Sequence, residues 1–218
     1  MIEVLRSKAP LEYLSTIKRM EMYVDQMIHQ KAAEAIWLLE HQDVLTAGAS
    51  AKEADLLDKN SFPVIRTGRG GQYTYHGPGQ RIIYVMLRLA DNEKDLKKYV
   101  FNLEQVIINV LQKIGLNGTR KENKVGIWID DSVLGVESKI AAIGIRVRKW
   151  VTYHGIAINI KPNLEGFRCI VPCGIKGYGV TSLETEGFLP SLEEFDALFI
   201  QEFTKVFCTR CSEDIRIL

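Results

Sequence analysis

Four cysteines occur in the last quarter of this 218-residue chain, and one of them stands in a setting that suits chemistry. Cys173 lies between Pro172 and Gly174, which favour a constrained loop over a regular element. A cysteine nucleophile needs exposure and a cationic or dipolar neighbour that stabilises its thiolate. For an isolated cysteine, a small buried hydrophobe in a turn is the simpler interpretation. Cys169 follows Arg168 without such framing and ranks second.

Cys208 and Cys211 form a Cys-x-x-Cys pair near the end of the chain. Such a pair is half of a zinc site or a redox pair, but a structural zinc needs four ligands and no second Cys-x-x-Cys exists. We therefore interpret both residues as incidental and predict no metal site.

A glycine-rich segment at residues 67–80 is the second candidate. It holds five glycines, one arginine and one histidine. Glycine allows backbone to approach a ligand closely, and Arg69, Thr74 and His76 add polar side chains beside that backbone. Two ordinary turns between strands would also explain the glycines. The segment lacks the Gly-Lys-Ser/Thr ending of a P-loop, and no helix follows as a dinucleotide fingerprint requires.

A predicted β-hairpin supplies the third candidate. Strict alternation puts Lys139 on the face of Ala141 and Ile143, where burial would disfavour its ammonium and suit it to act as a base. A lysine at the start of the strand that reaches solvent is the simpler alternative. The same alternation puts His154 on the face of Ile156, as a core histidine with a satisfied hydrogen bond.

Hydrophobic periodicity predicts the elements that must position these residues. Capping boxes at Ser50/Glu53 and Ser191/Glu194 predict helices over 51–58 and from 191 to about 207. Further helices are predicted over 11–28 and 92–114, and strands over 35–39, 64–66, 80–89, 125–129, 140–147 and 151–160. The mixture predicts an α/β (or α+β) fold in which a mixed sheet is flanked by helices.

The composition of the chain limits the classes of function that we expect but does not select one of them. The chain is 46% hydrophobic and 25% charged with a formal net charge of +1, which gives no global reason to expect a nucleic-acid or membrane partner. We find no repeat, linker, signal peptide or membrane-spanning run, so we expect one domain over residues 1–218 in a cytoplasmic protein.

Taken together, these motifs resemble the lipoyl(octanoyl) transferases of lipoate biosynthesis over nearly the whole chain. The resemblance rests on segments that occur in the family's order, at residues 40–57, 69–80, 139–144, 152–159 and 172–174. One departure is visible, because Gly48-Ala49-Ser50 stands where the family usually has Gly-Arg-Ser. A positive charge near the substrate entrance is therefore missing at Ala49.

The resemblance implies a fold similar to the catalytic domain of biotin and lipoate protein ligases, and an activity without a cofactor. An octanoyl group would pass from octanoyl-acyl carrier protein to a lysine on the lipoyl domains of 2-oxo-acid dehydrogenase E2 subunits and the glycine cleavage H protein. Cys173 would carry the acyl group as a thioester, and Lys139 would help to form the thiolate and shuttle protons. The substrate-binding residues would be Arg69, Gly70, Gly71, Gln72, Tyr73, Thr74, Tyr75, His76, Ala142, Ile143, Gly144, His154, Gly155, Ile156 and Ala157.

Two other functions stay open at this point. An ATP-dependent lipoate or octanoate protein ligase would activate a free acid and would need no cysteine. A non-catalytic binding module would hold an acyl chain or a carrier protein without becoming acylated at Cys173. Separately, Arg146, Arg148 and Lys149 form a basic patch that an acidic carrier domain could contact.

Overall fold

A computed structural model of the chain describes residues 1–131, 136–171, 178–209 and 211–218. The helices and strands, in chain order, are β1 Ile2–Arg6, α1 Tyr13–Ile28, β2 Ala35–Leu39, β3 Val44–Ala47, β4 Val64–Arg66, β5 Tyr73–His76, β6 Gln80–Met86, α2 Leu96–Lys113, β7 Thr119–Lys121, β8 Lys124–Asp131, β9 Val136–Arg148, β10 Val151–Asn159, β11 Gly179–Val180, α3 Leu192–Val206 and β12 Cys211–Ile217.

The described strands form two sheets. The larger has nine strands, with β12-β1-β2-β6-β10-β9-β8-β7 in spatial order and β11 added on β9. Its neighbours are antiparallel except for the pairs of β1 with β2, β1 with β12 and β9 with β11, which are parallel. The smaller sheet has the order β4-β3-β5. The predicted mixed sheet flanked by helices is therefore confirmed.

Hydrophobic clusters cover both faces of the large sheet. On one face, α2 and α3 pack on a cluster that includes Ile83, Val85, Ile156 and Ile158. On the other face, α1 packs on a cluster that includes Tyr84. None of the described helices is long and apolar enough to cross a bilayer.

A buried ion pair fastens α3 to the large sheet. Asp196 is fully buried, and its carboxylate accepts from the guanidinium of Arg81 at 2.6 and 2.8 Å. Arg6 on β1 also contacts this carboxylate, through Nε at 2.8 Å. The charges are thus compensated where water cannot reach them, which buried charges require.

The long amphipathic elements agree with the predictions. The helix predicted over 92–114 begins at Leu96, because Asp95 caps it by accepting from the amides of Lys97 and Lys98. The capping box of Ser191 and Glu194 is present at the start of α3. The two predicted strands of the hairpin form the antiparallel pair β9–β10.

Some short elements were predicted wrongly. Only Glu53–Asp55 forms a 3-10 turn where a helix over 51–58 was expected, since the chain is extended at Leu56 and the amides of Leu57 and Asp58 bond the carbonyl of Cys169. The glycine-rich segment contains a strand, β5, that pairs with another unpredicted strand, β3. The tail that follows α3 forms β12 beside β1.

Candidate active site

A cavity of about 200 Å³ lies between the glycine-rich segment and the large sheet. The glycine-rich segment covers it, the face of β6, β9 and β10 that carries α1 forms its floor, and Tyr13 of α1 lines it as well. The predicted site residues on its wall are Arg69, Gly70, Gly71, Gln72, Thr74, His76, Lys139, Ala142, Ile143, Gly144, His154, Gly155, Ile156 and Ala157. Residues far apart in sequence are therefore brought together around one space.

The floor of the cavity is shaped by small residues that pair across two strands. Ala142 pairs with Ala157, and Gly144 pairs with Gly155, between β9 and β10. These positions point to the cavity, whereas larger side chains would fill it. Because alanine and glycine have small side chains or none, a shallow apolar groove runs along the sheet, and its shape suits a narrow hydrocarbon chain.

The glycine-rich segment crosses β9 at close range. The amide of Gly70 donates to the carbonyl of Ile145 at 3.1 Å. A Cβ on Gly144 would lie 3.2 Å from the Gly70 carbonyl oxygen, so this close crossing favours glycine at position 144.

Arg69 is largely buried and holds this segment in shape. Its Nη1 donates to the carbonyls of Gly70 and Gln72 at 2.9 and 3.1 Å. Its Nη2 donates to the carbonyl and the hydroxyl of Thr46 on β3 at 2.8 and 2.6 Å. The guanidinium therefore ties the cover of the cavity to the small sheet.

The segment at residues 48–50 braces the cover from outside. The amides of Gly48, Ala49 and Ser50 bond the carbonyls of Gln72, Arg69 and Gly71 at 3.2, 2.9 and 3.1 Å. These bonds come from the backbone and do not require an arginine side chain. Ala49 is exposed, so its substitution for the family's arginine leaves this bracing intact.

Lys139 is buried, with 7% of its surface exposed, and its side chain lines the cavity. The face predicted for it was wrong. The register between β8 and β9 shifts, because Ile127 pairs with Ala141 while Trp128 pairs with Lys139, leaving Ile140 as an extra residue. Ile140 and Ala141 both pack under α2 and α3. The bulge reverses the alternation and delivers Lys139 to the opposite face of the sheet.

The Lys139 side chain is held by groups of β8. Its Nζ donates to the carbonyl of Val125 at 3.0 Å and lies 4.5 Å from the ring centroid of Trp128. A Cβ on Gly126 would lie 3.3 Å from the Lys139 Cε, so the side chain passes directly over this glycine. A carbonyl oxygen and an aromatic face both attract an ammonium group.

His154 also departs from the predicted alternation. Its φ of 59° places it in the left-handed region inside a strand, which is rare for a non-glycine residue. Its ring stacks on Tyr153 at 5.4 Å, meets Tyr84 edge-on at 5.8 Å and lines the cavity. Burial, helped by the charge of Arg69, lowers the pKa of His154 to about 3, so the ring is neutral at physiological pH.

His76 is neutral for the same reason and has a fixed tautomer. Burial lowers its pKa well below the usual range. Its Nδ1 donates to Gln80 Oε1 at 2.6 Å, since the Gln80 amide nitrogen itself donates to Asn159 Oδ1 at 2.9 Å. Asn159 donates onward to the carbonyl of Thr181 at 2.9 Å, and the Thr181 amide donates to the carbonyl of Lys139 at 3.1 Å. A hydrogen-bond chain thus links the cavity wall to β9.

Tyr73 and Tyr75 do not line the cavity, although both were expected to bind substrate. They lie on the other face of β5, in a cluster with Phe167 and Ile170. The Tyr75 hydroxyl donates to the carboxylate of Asp43. Alternation along β5 explains the difference, because Thr74 and His76 of the same strand do line the cavity.

Cys173 lies outside the described residues, as do Pro172 and Gly174. The described chain resumes at Tyr178 and continues into β11, where Val180 pairs with Lys139 of β9. The nucleophile predicted from sequence is therefore followed, within a few residues, by a strand that touches the predicted base.

Several cavity residues escaped the sequence reasoning. They are Tyr13, Ile82, Tyr84, Asn123, Lys124 and Val125. They belong to none of the motifs seen in the sequence, and they come from α1, β6 and the β7–β8 hairpin, which only the fold brings together. The predicted basic patch is partly neutralised, because Arg146 contacts Glu21 at 3.3 Å and Arg148 contacts Asp25 at 2.8 Å.

Comparison with known proteins connects this geometry to a family. Residues 12–204 match the family described as the lipoyl protein ligase A/B catalytic domain. The octanoyltransferase of Wolbachia pipientis subsp. Culex pipiens is 50% identical over 208 residues, which cover 95% of this chain and 100% of the relative. The chain belongs to the octanoyltransferase family. A second octanoyltransferase, from Paramagnetospirillum magneticum, is 48% identical over 92% of this chain and 94% of its own length.

The solved structures support the fold of this octanoyltransferase. A bi-partite lipoate protein ligase from Thermoplasma acidophilum superimposes with a TM-score of 0.73 at 17% identity, covering 100% of this chain and 88% of the other. The predicted likeness to lipoate protein ligases is confirmed at the level of the fold. An octanoyltransferase is an acyltransferase.

Proposed function

We propose that this octanoyltransferase moves an octanoyl group from octanoyl-acyl carrier protein to a lysine of lipoyl domains, through a thioester on Cys173. We take residues 1–218 as one catalytic domain and expect the E2 subunits of 2-oxo-acid dehydrogenases and the glycine cleavage H protein as acceptors. The observation that carries the proposal is the apolar groove of paired small residues with Lys139 in its wall.

The groove matches an acyl chain in its apolar character and is long enough to hold one. Strand residues rise by about 3.3 Å each, so Lys139 and Gly144 lie roughly 15 Å apart along β9. Burying each methylene of an acyl chain contributes about 0.8 kcal/mol. The neutral rings of His76 and His154 add no charge that would oppose an apolar ligand. An acyl chain lying along β9 would place its carbonyl carbon near Lys139.

The first half-reaction would acylate the enzyme. The Cys173 thiolate attacks the thioester carbonyl of the donor, a new carbon–sulfur bond forms, and the carrier protein's thiolate leaves and takes a proton from Lys139. One thioester replaces another of nearly equal energy, so this step needs no ATP.

The second half-reaction would transfer the acyl group. The amine of the acceptor lysine attacks the acyl-enzyme and loses a proton to the amine of Lys139, while the bond to Cys173 breaks. The product is an amide, which is more stable than a thioester and drives the reaction forward. Lys139 would thus give up a proton in one step and regain it in the next.

Intact-mass measurement tests this proposal. After incubation with octanoyl-acyl carrier protein, the enzyme should gain one octanoyl group on Cys173, and adding a lipoyl domain should remove it and acylate that domain. Cys173→Ala should abolish the gain. Cys169→Ala is the matched control and should leave it unchanged, because Cys169 is buried in the cluster of the small sheet.

Two results would contradict the mechanism. Full activity of Cys173→Ala with free octanoate and ATP would favour a ligase, and an enzyme that binds the donor without being acylated would be a binding module. Lys139→Met should slow acylation strongly, and an unchanged rate would remove Lys139 from the mechanism.

A further inference from the structure

Trp128 of β8 contacts both Lys139, the proposed proton donor, and Tyr178. It is almost completely buried, with 1% of its surface exposed. The face of its indole lies against Lys139 Nζ, 4.5 Å from the ring centroid. Its ring also meets Tyr178 at 5.3 Å and 71°. Tyr178 is the first described residue after segment 172–177.

The backbone before Trp128 has a fixed conformation that orients its side chain. Gly126 has a φ of 121°, and a Cβ there would lie 2.5 Å from the carbonyl oxygen of Ala141. Its amide donates to Glu104 Oε1 of α2 at 2.9 Å, and Arg120 holds the other oxygen of that carboxylate at 3.1 Å. The glycine conformation is therefore fixed by a buried carboxylate from α2.

The indole itself is fastened at its far edge. Its Nε1 donates to the carbonyl of Lys124 at 3.1 Å. The ring thus has little freedom to turn, and its face stays directed at the Lys139 ammonium. A lysine side chain has many rotamers, so a fixed aromatic face that attracts the cation narrows the positions that Nζ occupies.

We propose that Trp128 is a positioning residue for octanoyl transfer, which acts by holding the Lys139 ammonium beside the acyl groove. The inference rests on the proposed role of Lys139. Trp128 does not touch the reacting atoms in this role. It sets where the proton donor of the first half-reaction lies.

A matched pair of substitutions separates the effect of the aromatic face on Lys139 from the effect of side-chain packing. Trp128→Phe keeps a ring over Lys139, whereas Trp128→Met has a similar volume to phenylalanine without one. Both leave a comparable void and both lose the bond to Lys124. The rate of Cys173 acylation by octanoyl-acyl carrier protein should fall about tenfold more in Trp128→Met than in Trp128→Phe, because a displaced catalytic group loses reactivity steeply.

A double-substitution cycle tests whether Trp128 acts through Lys139. In a Lys139→Met background the two Trp128 variants should acylate at the same rate, since the cation that remains near the ring, Lys124 Nζ at 5.9 Å, is not the proposed proton donor. Tyr99→Met is the control for lost aromatic packing, because Tyr99 is equally buried but packs on Phe207. Its effect should be the same in both backgrounds.

The outcomes distinguish this inference from the proposed function. Equal rates for Trp128→Phe and Trp128→Met in the presence of Lys139 would overturn the positioning role. If the rates of the two Trp128 variants differed by the same factor in the Lys139→Met background, the positioning role would also be overturned, and the effect of Trp128 would be one of packing. An unchanged acylation rate in Lys139→Met alone would remove Lys139 from the mechanism and with it the basis of this inference, whereas no acylation of Cys173 in the wild-type enzyme would overturn the proposed function.

Discussion

Ala157 on β10 offers a direct way to test how the groove selects its acyl chain. It is 8% exposed, lines the cavity and pairs with Ala142 across the strands. Replacing it with valine adds two carbon atoms on the floor of the groove. Valine also suits a strand, so the change should fill space without opposing the backbone.

The expected magnitude follows from the volume displaced. Two added carbons exclude about two methylenes of the acyl chain, at about 0.8 kcal/mol each. The loss of about 1.6 kcal/mol corresponds to roughly a fifteenfold fall in kcat/KM for octanoyl transfer. A butanoyl chain, which does not extend as far along the groove, should lose much less.

The assay compares kcat/KM for octanoyl-, hexanoyl- and butanoyl-acyl carrier protein with a lipoyl domain as acceptor. Ala141→Val is the matched control, because Ala141 is adjacent to Ala142 but belongs to the cluster under α2 and α3. It should reduce stability without changing the order of the three donors. A parallel fall for all three donors in Ala157→Val would refute the assignment of the acyl chain to this groove.

Two further predictions concern stability. The pKa of His154 is lowered from 6.5 to about 3, so its neutral form stabilises the fold above pH 6.5 and this contribution is lost as the pH falls toward 3. Near pH 5 the free energy of unfolding should be lower by about 2 kcal/mol for this reason. The substitution His154→Asn, in which asparagine tolerates a left-handed backbone, should therefore weaken the pH dependence of urea unfolding. An unaltered pH dependence would show that the His154 ring is not its cause. Asp196→Ala should destabilise the protein by about 3–5 kcal/mol, because it leaves the buried Arg81 without its carboxylate. A melting temperature within a degree or two of the wild type would contradict that view.

Long periodic segments made most of the fold predictable. The stripes of α1, α2 and α3 and the capping box at Ser191 predicted three helices whose ends agree to within a few residues. The hairpin of β9 and β10 was evident from its apolar alternation. The short strands β1, β3, β5, β7, β11 and β12 were missed, because their stability comes from pairing with other strands and not from a local pattern.

Alternation failed at the two residues where it mattered most. Strict alternation predicted that Lys139 and His154 would lie on the face of the sheet that packs against α2 and α3. An extra residue at Ile140 reverses the first, and a left-handed backbone at His154 itself reverses the second. Bulges and positive φ angles re-aim side chains locally, and they concentrate near functional sites.

The amino-acid sequence was enough to predict the family, the fold class and the identity of the residues worth testing. The order of its motifs and the types of Cys173, Lys139 and the glycine-rich segment carry that information without any coordinates. The three-dimensional fold was needed to show which residues share the cavity and that Tyr73 and Tyr75 turn away from it. It was also needed to show that Lys139 lies between a carbonyl of β8 and Trp128. The physical reason is that residue types are local, whereas the direction of a side chain in a sheet depends on the register and bulges set by neighbouring strands.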